Sequence, residues 1–188
     1  AVYHGILGHT IEIPEGNEES YKAGRNAVLG GIDFLNQDPD RLLEMRLNFY
    51  LRGLNKTEDP KAENELVGPN GEIVGRVKNG RPKFFPDYYV IPMSLDKDND
   101  AQEAFNMIDY FKRNGVLVKE LKEDTGPYKK GDLVIDMAQA KRGYANHILY
   151  KGSNESAWAA MYAELLVNFP DMRGFKSERI FADGLFNG

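Results

Sequence analysis

Residues 55–86 constrain this 188-residue chain more than any other stretch. They hold four prolines, four glycines and many charges, a composition that breaks helices and strands alike. Within them, GPNGEIVGRVKNGRPKF sets two turn signals, Pro69-Asn70-Gly71 and Asn79-Gly80, around one short strand, Glu72 to Val77. One continuous core cannot run through such a segment. The expected organisation is residues 1–54, a linker with a hairpin at 55–86, and residues 87–188.

Composition removes several functional classes. A net charge of −5, spread without long like-charge runs, argues against a nucleic-acid footprint. No apolar run is long enough for a membrane span. There is no cysteine, which excludes disulfides, thiolate zinc sites and cysteine nucleophiles together. The chain opens at Ala1 and runs straight into an apolar segment without a visible signal peptide, so it reads as a processed or cut chain.

In the first part, residues 2–13 read as one or two short strands interrupted by Gly5 and Gly8 and ended by Pro14, Gly16 and Asn17. A helix is expected from Glu18 to Asn36, with Tyr21, Gly24, Val28, Ile32 and Leu35 at helical spacing. Asp38-Pro39 pairs an N-cap with a first-turn proline and restarts a helix to about Leu54. Leu43, Leu47, Tyr50 and Leu54 form its apolar stripe.

From Asp87 the pattern changes. DYYVIPM reads as a strand, and Asp98 to Asp100 offer caps for a helix with Ala101, Ala104, Phe105, Ile108 and Phe111 on one face, which Asn114-Gly115 stops. VLVKEL and GDLVIDM read as further strands, with the Gly126-Pro127 turn between them. A strand–helix–strand succession of this length predicts a crossover and a parallel sheet. A last helix is expected from about Ser156 to Asn168, ended by Pro170, and Ile180-Phe181 look like the start of another strand.

Three places invite chemistry. His4, His9 and Glu12 are metal-ligand types, but strand side chains alternate faces. His4 and Glu12 would share a face only at roughly 26 Å separation on a continuous strand. In HTIEIP, His9 to Pro14, the carboxylate of Glu12 sits between Ile11 and Ile13 near the carboxyl end of a predicted strand, the end where open α/β sheets bind ligands. It could equally protect a sheet edge or cap the helix that follows. QAKRGYANHIL, Gln139 to Leu149, is a polar, basic stretch after a strand that could bind an anion or simply be a solvated connection. Neither a glycine-rich phosphate loop nor a GxSxG elbow is present.

GHTIEIP followed by SYKAGRNAVLGGIDFL resembles the end of the catalytic domain of the carboxypeptidase A-like zinc carboxypeptidases. In that family a glutamate in a Thr-x-Glu-x-Pro-like context is the general acid/base for the water that zinc activates. The resemblance puts Glu12 in that role and matches the following helix to the family's closing helix. The family's zinc ligands and substrate clamp lie upstream of this glutamate, so zinc is expected in a parent protein and no metal in this chain. DYYVIPM, FKRNGVLV and GDLVIDMAQAKRGYANHIL resemble a class I glutamine amidotransferase-like domain that follows the peptidase domain in some bacterial members. Without cysteine that likeness extends to fold only.

The expectation is therefore an α/β chain with a mixed or parallel sheet, flanking helices and a Rossmann-like second part. It would be a piece of an extracellular or cell-surface metallocarboxypeptidase-like protein. Glu12 would be its catalytic residue, the parent's peptide substrate and an upstream catalytic domain its partners, and the chain alone would be inactive. The rival is a non-catalytic binding or scaffolding module.

Overall fold

The computed structural model describes residues 4–6, 8, 11–13, 15–58, 83, 85–94, 100–150 and 169–186. Packing divides the chain into two compact units, Ala1–Leu51 and Arg52–Gly188. The expected hairpin at 72–77 and the expected helix at 156–168 lie outside the described residues, as do His9, Thr10 and Pro14.

The first unit is built on two helices, α1 (Glu18–Gln37) and α2 (Pro39–Leu54), whose last three residues belong to the second unit. The Asn17 side chain caps α1 by accepting from the Ser20 N–H at 2.9 Å, so Glu12 does not cap it. Glu18 and Glu19 in its first turn favour the helix dipole and hold Lys22 at 3.1 and 3.0 Å. The Asp38 carboxylate accepts from the Arg41 N–H at 3.0 Å, the cap that Asp38-Pro39 predicts for α2. Amphipathic as they are, the two helices bury almost nothing: no residue of α1 and only Gly53 of α2.

The strands expected in residues 2–13 are absent among the described residues. His4 and Gly5 form a tight turn, with Gly5 at φ +67°, and Ile11 to Ile13 have no regular structure. No described residue of the first unit is a strand that could supply the missing ladder. A lone extended segment cannot satisfy its backbone groups as a strand does.

The second unit holds β1 (Tyr88–Ile91), α3 (Ala101–Arg113), β2 (Lys119–Glu120), β3 (Leu133–Asp136), α4 (Arg142–Leu149), α5 (Phe169–Arg173) and β4 (Glu178–Ile180). The four strands form one sheet in the order β2-β3-β1-β4. Every pairing is antiparallel: Val90 faces Val134, Tyr88 faces Ile180 and Lys119 faces Val134. This corrects the parallel, Rossmann-like sheet expected from sequence. β2 runs parallel to β1, since both oppose β3, but the two are not neighbours. The chain turns back after β2 through the Thr125–Tyr128 bridge, with Gly126 at φ +59° and Gly131 at φ +95°. The hairpin so made inserts β3 between them, and hairpins join antiparallel neighbours.

The core follows from the pleat. Tyr89, Ile91, Leu133 and Ile135 face Ala104, Met107, Ile108 and Phe111 of α3, together with Ala145, Ile148 and Leu149 of α4. Tyr88, Val90 and Val134 point the other way and meet Tyr128, Leu121, Ile180 and Phe186. β1 is thus buried on both faces, which is why DYYVIPM reads as a continuous apolar run. Pro170 lies within α5, which runs on to Arg173; the helix expected ahead of it lies outside the described residues.

Candidate functional site

Glu12 lies in the irregular segment ahead of α1 and is exposed, as are Ile11 and Ile13 on either side. The alternation that would bury one face of a strand is therefore not realised. Ile13 is nevertheless anchored: its Cδ1 lies 3.0 Å from where a Cβ on Gly24 would be, so the bare backbone of α1 at Gly24 gives it room. Beside it runs an open apolar groove lined by Tyr21, Gly24, Val28 and Leu29. Glu12 thus stands next to an uncovered apolar helix face.

Of the metal-ligand types, His9 lies outside the described residues. The backbone carbonyl of His4 accepts from the Tyr50 hydroxyl at 2.7 Å, and His147 lies on α4 of the second unit. Among the described residues no group of three histidine, aspartate or glutamate side chains could hold a metal ion. The donor set does not fit zinc, and no catalytic step through a metal follows for these residues.

QAKRGYANHIL is neither an anion loop nor a solvated connection. From Arg142 onward it is α4, and Gln139, Arg142, Tyr144 and Asn146 are buried. Gln139 acts as a surrogate backbone unit. Its carbonyl accepts from the Leu117 N–H at 2.9 Å, and its amide donates to the carbonyls of Leu117 at 3.2 Å and Asp136 at 2.6 Å. The Arg142 guanidinium stacks 4.1 Å over the Phe85 ring and donates to the Thr57 carbonyl. Burial pulls its pKa down and Glu58 opposes that. The Asn146 carbonyl accepts from the Tyr89 hydroxyl at 2.9 Å, and the Tyr144 hydroxyl donates to that of Tyr110 at 2.6 Å. Burial and this partner push Tyr144 well above the ordinary tyrosine range. These polar groups are spent on holding α4 and residues 52–58 to the sheet. Gly53 shows how closely: a Cβ there would meet the Gln139 carbonyl oxygen at 2.3 Å.

Sequence reasoning missed one ionic cluster. Asp87, almost wholly buried, holds Lys83 and lies 3.6 Å from Lys56, which in turn bonds the exposed Asp183 at 2.5 Å. Burial pulls the Lys56 ammonium down, but Asp183 and then Asp87 outweigh it, and its pKa is raised. A lysine kept protonated in this way is a structural cation, not a nucleophile or base. The partners lie up to 127 positions apart, and no local pattern announces them.

No family model matches this chain, and no curated protein or solved structure matches it significantly.

Proposed function

We propose that this chain is part of an extracellular or cell-surface protein resembling the zinc carboxypeptidases. The parent would hydrolyse peptide bonds, with Glu12 as its general acid/base. On this reading zinc and the substrate clamp belong to sequence upstream of Ala1, residues 1–54 complete the catalytic domain, and residues 87–188 are an accessory module without chemistry of its own.

The observation that carries the reading is the uncovered apolar surface beside Glu12. Val28 and Ile32 of α1 and Leu43 and Leu47 of α2 are each about half exposed. The groove of Tyr21, Val28 and Leu29 beside Ile13 is the apolar surface that lies nearest Glu12 and is open to a partner. An upstream catalytic domain seated on it would place Glu12 at a junction, where a general base must be.

The test is made on the longer reading frame that carries this chain. Glu12→Gln keeps shape and hydrogen bonding but removes the base. The expected result is a fall in kcat of about 10²–10⁴-fold with little change in KM. Hydrolysis at the unmodified rate by the Glu12→Gln protein would remove Glu12 from the mechanism. Turnover by the 188-residue chain alone with added zinc would contradict the fragment reading.

A further inference from the structure

Helices cover one face of the second unit's sheet. On the other face, among the described residues, the strands meet only short turns: Leu121 and Tyr128 from the β2–β3 connection and Phe186 from the turn at 183–186. A cavity of about 340 Å³ lies between those two turns. Tyr88, Val134, Leu121, Leu185 and Phe186 give it apolar walls, while Lys119, Lys122 and Glu123 give its rim both signs of charge. That volume is at the low end for ligand pockets, enough for one or two side chains. A rim of mixed sign offers no focused field for a phosphate or a nucleic acid.

The cavity borders an open backbone edge. Among the described residues β2 is the outermost strand on its side of the sheet. Leu121 donates its N–H to Asp132 and accepts at its carbonyl from Gly131, so both its polar groups turn toward β3. Backbone groups alternate along a strand, and Glu120 therefore turns its N–H and C=O outward. Leu121 packs with Val134 on the cavity face, and Lys119, opposite Val134 and two residues before Leu121, shares that face. A strand laid outside β2 would thus send alternate side chains toward the same face.

We propose that this edge and cavity together bind an extended peptide, which adds a strand outside β2 and seats one apolar side chain between Val134, Leu121 and Phe186. Backbone pairing would supply affinity, and the cavity would select an apolar residue at alternate positions. That the occupant is a peptide substrate of the parent rests on the peptidase reading; the edge and the cavity do not. The opposing reading is that Lys119, Glu120 and Lys122 are charges that keep a short edge strand unpaired.

The experiment uses the whole 188-residue chain and a fluorescein-labelled nonapeptide in which leucine alternates with threonine. Two further versions are N-methylated at alternate amides, one for each register. Anisotropy titration is expected to show saturable binding. One methylated version should bind at least tenfold more weakly, and the other like the parent peptide. Leu185→Asp, at a partly exposed position that tolerates a polar residue, should weaken binding about tenfold with the circular dichroism spectrum unchanged. No saturable binding, equal binding of both methylated peptides, or a Leu185→Asp protein that binds as well as the original would overturn the proposal. The Glu12→Gln experiment is independent of these outcomes. Peptide binding with an unimpaired Glu12→Gln enzyme would remove Glu12 from the mechanism and leave the binding site standing.

Discussion

Lys56 is the one described non-glycine residue with a positive φ, +51°. It follows the end of α2, where its N–H donates to the Gly53 carbonyl at 3.2 Å and the Thr57 N–H donates to the Arg52 carbonyl at 2.9 Å. Glycine or asparagine is the usual choice there, because a Cβ strains the left-handed conformation. Asp87 and Asp183 on its ammonium offset that strain, and the pKa shifts give the pair a pH signature. Lys56 and Lys83 hold Asp183 below the usual carboxylate range. The contribution of Asp183 to stability is therefore present above its unfolded pKa of about 3.9 and lost as pH falls through the lower folded value. Lys56 is raised, so its share is present below about pH 10.4 and lost as pH rises through the higher folded value. Asp183→Asn should lower the melting temperature modestly between pH 5 and 9, and the gap to the unmodified protein should narrow as pH falls below about 3.9. Thermal melts from pH 7 down to pH 2 check it; a gap that stays constant over that whole range would show that the carboxylate's charge is not what matters. None of this was legible in sequence, because partners 31 and 127 positions from Lys56 leave no periodic trace. Arg142 and Gln139 were misread for a related reason. Polar type alone suggests solvent, and only the fold shows that their donors and acceptors are consumed by buried backbone.

α3 shows what a single element does disclose. Asp100 accepts from the N–H groups of Gln102 and Glu103 at 2.9 and 3.1 Å, and Gly115 at φ +77° ends the helix after Asn114. Both ends were legible because capping chemistry is local. The buried face was legible in part. Ala104, Ile108 and Phe111 are in the core as expected, Met107 joins them, and Phe105 is 59% exposed. A ring at the margin of an apolar stripe can fall on either side, and periodicity does not say which. Phe111→Ala should cost about 3–5 kcal/mol by urea denaturation. Phe105→Ser should stay within about 0.5 kcal/mol, as surface changes do. Equal losses would mean that the core does not centre on the α3–sheet contact. Strand order was not legible. A continuous apolar run signals burial on both faces, and the run in β1 fits a parallel strand as well as the central antiparallel strand it is. The two-residue β2 carries too little pattern to reveal that a hairpin, not a second crossover, follows it.

At the scale of the molecule the two units differ in what holds them. The second has a continuous core from Tyr89 to Phe175. In the first, α1 buries no residue, and Tyr21 at 72% and Phe34 at 63% exposure are open to water. Helices owe most of their stability in proteins to packing of an apolar face rather than to intrinsic propensity. Three glycines within α1 cost it further, at roughly 0.8–1 kcal/mol each relative to alanine. A helix built this way opens locally at almost no cost, whereas core strands and helices open only with global unfolding. Hydrogen exchange by mass spectrometry should therefore find residues 18–37 of the 188-residue chain exchanging within seconds, while β1 and α3 stay protected. In the longer protein, burial of the same face should slow exchange of α1 by at least about 100-fold, equivalent to some 2.7 kcal/mol of added protection. Exchange of β1 should not change. If α1 exchanged equally fast in both proteins, its apolar face would not be the seat of an upstream domain. Glu12 would then be left on a surface that nothing covers.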